Sequence, residues 1–314
     1  MSSERPPRVL FLGMQTDFSS PSLRALLESG IEVCAVVIPG SNGLGHHLPA
    51  IRRREAPRKT HSILPLLHSS MHTSLLQTAW ERHIPVWEVS RLSDPETLSV
   101  FAACQPDAIC VACFSQRVPR SILDLPRLGC LNVHPSLLPA NRGPVPLFWT
   151  FREGARKTGV TIHLMDERMD TGDILAQETV DVPDGITYAA LELQCAMLGG
   201  KLLAQTVWKL YEGLAVRIPQ DETKSSYHSF PSAQDFLVPA AEWTAQHVYN
   251  FICGVLSYGS PVILQIADEC FVVKEGISYS HSTTQNIHRK HHTVGAEVWA
   301  RCRTGWVRVV TTPR

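Results

Sequence analysis

Residues 130–173, CLNVHPSLLPANRGPVPLFWTFREGARKTGVTIHLMDERMDTGD, decide how this chain reads. GCLNVHP, 129–135, is a short apolar run closed by proline, the pattern of a strand that ends at Pro135. Side chains two apart on a strand share a face, so Asn132 and His134 project side by side at its carboxyl end. Open α/β sheets bind their ligands at that end. VTIHLMD, 160–166, reads as the next strand, and the Asp-Thr-Gly turn begins at Asp170. If the two strands are neighbours, Asp170 comes within reach of the same end.

An amide donor, an imidazole and a carboxylate are the parts needed to move an acyl group onto an amine. Asn132 and a protonated His134 would stabilise the oxyanion of a tetrahedral intermediate. Asp170 would favour the charged imidazole and relay the proton that the amine loses. No Ser or Cys nucleophile is then needed, and the sequence shows no ligand set for a metal. Alone, an Asn-x-His at a strand end is more often structural, and an Asp-Thr-Gly is just a turn. Ser136-Leu137-Leu138-Pro139 and Asn141-Arg142-Gly143 lie between them, and four separate features then fit one task.

Working outward, RVLFLG (8–13) and IEVCAVVIPG (31–40) read as buried strands joined by a helix over SSPSLRALLES. Residues 41–61 read as irregular and include the basic loop IRRREAPRKTH. A helix near 74–83, the strand IPVWEV, a helix near 95–104 and the strand DAICVACF (107–114) follow. ILAQETVDV (174–182) gives one more strand, and a long helix fills about 186–212. This alternation predicts a doubly wound, Rossmann-like α/β domain over 1–215. The polar stretch 216–235 reads as a linker. Over 236–314, a helix and several short strands with glycine turns predict a small antiparallel barrel of OB type, with a long polar loop at 277–293.

The 314 residues carry no formal net charge, with 44% hydrophobic and 18% charged residues, which is ordinary for a soluble globular protein. The whole molecule therefore exerts no general pull on nucleic acid or membrane. Nine cysteines without framework spacing, several inside apolar runs, fit a reducing compartment. The polar start MSSERPP lacks a signal-peptide core and no apolar run approaches bilayer length, so a cytoplasmic protein is expected.

The 130–173 stretch resembles the folate-dependent formyltransferase family, whose signature runs N-x-H, S-L-L-P, R-G, D-x-G. Here the same elements read NVH, SLLP, NRG and MDTGD in that order. Within the family it is most similar to methionyl-tRNA formyltransferases, on the run GVTIHLMDERMDTGD and the whole-chain layout. The resemblance implies 10-formyltetrahydrofolate as formyl donor, no metal, and Asn132, His134 and Asp170 as the catalytic set. It implies folate contacts from Ser136, Leu137, Leu138 and Pro139, from the turn Phe114, Ser115, Gln116 and Val118, and from Met165 and Asp166 on the opposite wall. At that turn the family favours Tyr-Gly and aliphatics, whereas this chain has Phe-Ser-Gln-Arg, which implies a different detail of folate orientation.

The acceptor amine is harder to read. In methionyl-tRNA formyltransferases a basic loop after the second strand contacts the tRNA. Arg52, Arg53, Arg54, Arg58 and Lys59, against one acid, occupy that place here, and Arg142 joins them as a candidate tRNA contact. A solvated surface loop is the competing reading. From Asp221 onward, eight basic residues face eight acidic ones, so the C-terminal unit lacks a tRNA platform's electrostatic footprint. Initiator methionyl-tRNA is the expected acceptor. A nucleotide-linked amino sugar or other small amine is the alternative, and a catalytically silent tRNA- or folate-binding module is a further one.

Other signals carry less. Cys110 and Cys113 stand three apart on a strand and so point to opposite faces, which favours core packing over a metal pair. His46-His47 and the HRKHH cluster at 288–292 lack partners at metal spacing. Gly13 ends its strand without G-x-G-x-x-G, which argues against a dinucleotide site.

Overall fold

RVLFLG forms β1 (Arg8–Gly13), buried after its first residue, and α1 (Ser19–Glu28) leads from it to β2 (Glu32–Pro39). The computed structural model describes residues 5–40, 49–57, 74–282 and 290–312. Next come β3 (Ile51–Arg53), α2 (Leu75–Glu81), β4 (Val86–Val89), α3 (Pro95–Ala103), β5 (Ala108–Ala112), the single turn α4 (Arg120–Leu123) and β6 (Cys130–His134). Local chemistry sets the helix starts. Ser74 accepts a hydrogen bond from the Gln77 amide at 3.2 Å ahead of α2. Asp94 does the same for Glu96 at 3.0 Å ahead of α3, with Pro95 in the first turn.

After α5 (Pro146–Arg152) the chain returns as β7 (Lys157–Leu164) and β8 (Ile174–Asp181), then enters the long helix α6 (Tyr188–Tyr211). The sheet order is β3-β4-β2-β1-β5-β6-β7-β8. From β4 to β6 each neighbouring pair is parallel, and the order reverses between β1 and β5, as a doubly wound fold requires. Leu10, Leu12, Ala35, Val37, Ile109 and Val111 from these strands share one core with Phe101 of α3.

The sheet departs from the doubly wound expectation at both flanks. β7 runs antiparallel to β6, with Asn132 opposite His163 and His134 opposite Thr161. A crossover helix lying over the sheet would have made it parallel. Within the second unit α5 packs on α7 (Ala245–Val255), and the chain re-enters the sheet antiparallel. At the other flank, Ile51–Arg53 is strand rather than loop, antiparallel to β4.

The chain packs as two compact units. The first holds Met1–Ala140, Gly159–Glu178 and Leu193–Ser225; the second holds Asn141–Thr158, Thr179–Glu192 and Ser226–Arg314. In the second unit, Phe148 of α5 packs its ring against Phe236, Phe251 and Tyr258. Asp184 accepts hydrogen bonds from Asn250 at 2.8 Å, Tyr279 at 2.7 Å, Gln246 and Arg156.

The second unit's sheet comprises β9 (Leu237–Pro239), β10 (Ile263–Ile266), β11 (Glu269–Ser280), β12 (His291–Val294), β13 (Glu297–Arg301) and β14 (Trp306–Thr311). Its order is β12-β13-β14-β11-β10-β9, and among the described residues no pairing joins β12 to β9. It is therefore an open sheet, not the closed barrel expected, and β9 with β10 adds a parallel pair. Tyr279 and Ser280 of the expected 277–293 loop are still paired to β14, so the strand runs further than its polarity indicated. The stretch 216–235 is bonded along its length. Ile218 exchanges backbone hydrogen bonds with Ile174, and two one-turn 3-10 helices follow, Glu222–Lys224 and Ala233–Phe236. Among the described residues no helix is long and apolar enough to cross a membrane.

Candidate active site

Asn132 and His134 sit two apart on β6 and share a face, as their spacing requires. The antiparallel β7 places His163 directly across from Asn132, on that same face. The amide nitrogen of Asn132 lies 3.2 Å from His163 Nε2, and His163 Nδ1 lies 2.8 Å from the carbonyl oxygen of Leu164.

Asp170 reaches these groups by a different route from the one its sequence position implies. β7 is antiparallel, so its carboxyl end lies beside Leu131, near the start of β6. The loop 165–172 then folds back and brings the Asp170 carboxylate 3.7 Å from His134 Nδ1 and 3.6 Å from His163 Nε2. Both separations are longer than hydrogen bonds, and each becomes an ion pair only when that imidazole is protonated. His134 is 4% and Asp170 8% exposed, so charge held there is poorly screened.

The turn is built to hold that geometry. Asp170 sits at φ 55°, a left-handed conformation that Asp tolerates better than most residues. A Cβ on Gly172 would stand 1.9 Å from the Leu164 carbonyl oxygen, so only glycine fits. The Gln220 amide donates to the carbonyls of Asp170 at 2.9 Å and Gly172 at 2.7 Å. Asp166 caps the same loop, accepting from the Arg168 amide at 2.8 Å and the Thr171 hydroxyl at 2.7 Å.

The Ser136–Pro139 loop is pinned by Thr161, which lies opposite His134. Its hydroxyl donates to the Ser136 carbonyl at 2.7 Å and accepts from the Leu138 amide at 3.2 Å. Gln177 donates to both Thr161 Oγ1 at 2.8 Å and the Leu138 carbonyl at 2.9 Å. Ser136 and Leu138 are buried, while Leu137 and Pro139 are half-buried. In the other expected folate segment, Val118 is buried, Phe114 and Met165 pack partly against the main core, and Ser115 is exposed, while Gln116 turns inward. The Gln116 side chain donates to the Val89 carbonyl at 2.7 Å, so the residue ties its loop to β4. Arg117 donates to the Glu167 carbonyl.

The residues named for tRNA contact divide. Arg52 donates to Glu88 at 2.9 Å, and Arg54 approaches the same carboxylate at 3.6 Å; the Glu88 side chain is only 8% exposed. Arg53 pairs with Glu55 at 3.4 Å. Arg58 and Lys59 lie outside the described residues. Arg142 is 7% exposed, and its backbone pairs with Ser226 and His228 in the second unit, so it does not belong to the exposed basic stretch.

Sequence reasoning missed His163, Thr161 and Gln220. His163 stands in the quoted run VTIHLMD, but only strand pairing puts it against Asn132. Gln220 lay in the stretch read as linker.

The formyl transferase family profile matches residues 8–207. The methionyl-tRNA formyltransferase of Pelotomaculum thermopropionicum is 32% identical over 296 residues, covering 92% of this chain and 87% of that protein. The methionyl-tRNA formyltransferase of Syntrophus aciditrophicus is 37% identical over 236 residues, covering 74% and 68%. Among solved structures, an N-formyltransferase from Helicobacter canadensis, in complex with folinic acid and dTDP-3-aminofucose, is alike in fold. Its TM-score is 0.64 at 16% identity, over 96% of this chain and 98% of that one. On the matched profile and these relatives, the chain belongs to the formyl transferase family.

Proposed function

We propose that the chain is a folate-dependent N-formyltransferase that moves the formyl group of 10-formyltetrahydrofolate onto the amino group of methionyl-tRNA. The observation that carries this reading is the meeting of Asn132, His134 and Asp170 in a chain alike over most of its length to methionyl-tRNA formyltransferases. The acceptor nitrogen attacks the formyl carbon and loses a proton, and the bond from that carbon to the folate nitrogen breaks as the folate nitrogen takes a proton up. Asn132 donates to the oxygen that becomes negative. His134 shares that charge and passes the proton, and Asp170 orients His134 and balances its positive charge. The Ser136–Pro139 loop, fixed by Thr161 and Gln177, would form one wall for the pterin, with Phe114 and Met165 on others.

A nucleotide-linked amino sugar as acceptor is the second reading. The charge balance of the C-terminal unit and the commitment of Arg52 and Arg54 to Glu88 favour it. The deciding experiment gives the enzyme the formyl donor with charged initiator tRNA on one side and a panel of amino sugars on the other. Formylation of the tRNA, falling steeply with salt, is the expected result. Turnover of an amino sugar with the tRNA inert would replace it with the second reading.

A further inference from the structure

We propose that His163 is a positioning residue for formyl transfer, fixing the side-chain amide of Asn132 so that its NH2 group, not its oxygen, is the end offered to the reacting oxygen. This rests on the functional reading above and goes beyond it, because His163 acts through Asn132 and not on substrate or donor.

Two neighbours of one imidazole set its proton. His163 Nδ1 stands 2.8 Å from the carbonyl oxygen of Leu164, and a carbonyl can only accept, so Nδ1 must carry a proton. In the neutral ring Nε2 is then a bare acceptor. Nε2 lies 3.2 Å from the Asn132 amide nitrogen. The reversed amide would set the Asn132 oxygen against that lone pair, two acceptors facing each other, and is disfavoured. One N–H of Asn132 is thus spent on His163, and the second is left for an oxyanion. An unconstrained asparagine turns its amide at small energetic difference, and half of its orientations present an acceptor to developing negative charge.

Among the described residues, Asp170 at 3.6 Å from Nε2 and His134, with ring centres 6.2 Å apart, also face the ring. The Asp170 separation is beyond hydrogen-bond range, so it does not require a proton on Nε2. A doubly protonated His163 would reverse the assignment, since both nitrogens would donate and Asn132 would have to present its oxygen.

The first test reads the tautomer in the protein without substrates. Long-range imidazole 15N correlations at neutral pH, assigned by loss of the signal in His163→Gln, should show Nδ1 protonated and Nε2 bare. A protonated Nε2 overturns the proposal. The second test compares wild type, His163→Leu and His163→Gln with whichever acceptor the wild type formylates. Leucine removes the acceptor, and kcat should fall about a hundredfold, the scale of one lost oxyanion donor, with KM for the formyl donor unchanged. Glutamine places an oxygen near the position of Nε2 and should restore at least about tenfold of that loss, as regained donor alignment requires. A leucine variant of near-native kcat, or a glutamine variant no better than leucine with matching thermal melts, overturns it. If the wild type formylates no amine, the functional reading fails, and the tautomer measurement still decides what His163 does to Asn132.

Discussion

Asp170 shows how much one residue's placement depends on its neighbours. Its carboxylate serves two imidazoles at 3.7 and 3.6 Å, from a left-handed backbone conformation at φ 55° that Asp tolerates better than most residues. Asp170→Asn should keep the fold, because Gln220 holds the turn by main-chain carbonyls, while kcat drops roughly a hundredfold or more through loss of charge beside His134. Asn132→Ala should lower kcat on a similar scale, about 100- to 1,000-fold, with little change in KM for the donor. Steady-state kinetics with thermal melts check both, and near-native turnover in either variant removes that residue from the mechanism. Asn132 and His134 were legible because a spacing of two fixes a common face on any strand. His163 was not, because it meets them only through a pairing register that no local pattern encodes.

At the scale of elements, the 165–172 loop and the 184 region carry the constraint. Gly172→Ala would push a methyl into the Leu164 carbonyl, so the loop must move and Asp170 with it. We expect lower melting temperature and lost turnover together, with no recovery at high substrate concentration. Asp184 tests the second unit. Burial pushes its pKa up, but hydrogen bonds from Asn250, Tyr279, Arg156 and Gln246 outweigh this and hold the carboxyl well below the usual range. A carboxyl depressed in the fold contributes stability above its unfolded pKa, about 4, and that contribution is lost as pH falls towards the folded value. Asp184→Ala should therefore melt lower than wild type at pH 7, and the gap should narrow as pH drops below about 4. A gap independent of pH would show that packing, not charge, holds this region. Apolar runs and capping residues made these elements readable in the sequence. The direction of β7 was not, because strand direction is fixed by pairing with β6, which no local pattern encodes.

For the whole molecule the question is charge. A chain of zero formal net charge has no global field for a polyanion, so under the proposed function tRNA would be held by local arginines. Arg52 and Arg54 stay 53% and 41% exposed although both pair with Glu88 at the sheet edge. Replacing both with alanine should raise KM for methionyl-tRNA, leave kcat largely intact and flatten the log–log salt slope by about two units, one for each phosphate no longer neutralised. An unchanged slope would move the tRNA surface elsewhere. The sequence by itself determined the parallel core of the sheet and the common face of Asn132 and His134, because strand periodicity and the i, i+2 rule are local, while the family chemistry came from the resemblance of NVH, SLLP, NRG and MDTGD to the formyltransferase signature. Only the tertiary structure decided the antiparallel flanks, the open second sheet, the return of Asp170 to His134 and the place of His163. Each of these depends on which strands pair and in which direction, and that is settled by packing between segments far apart in the chain.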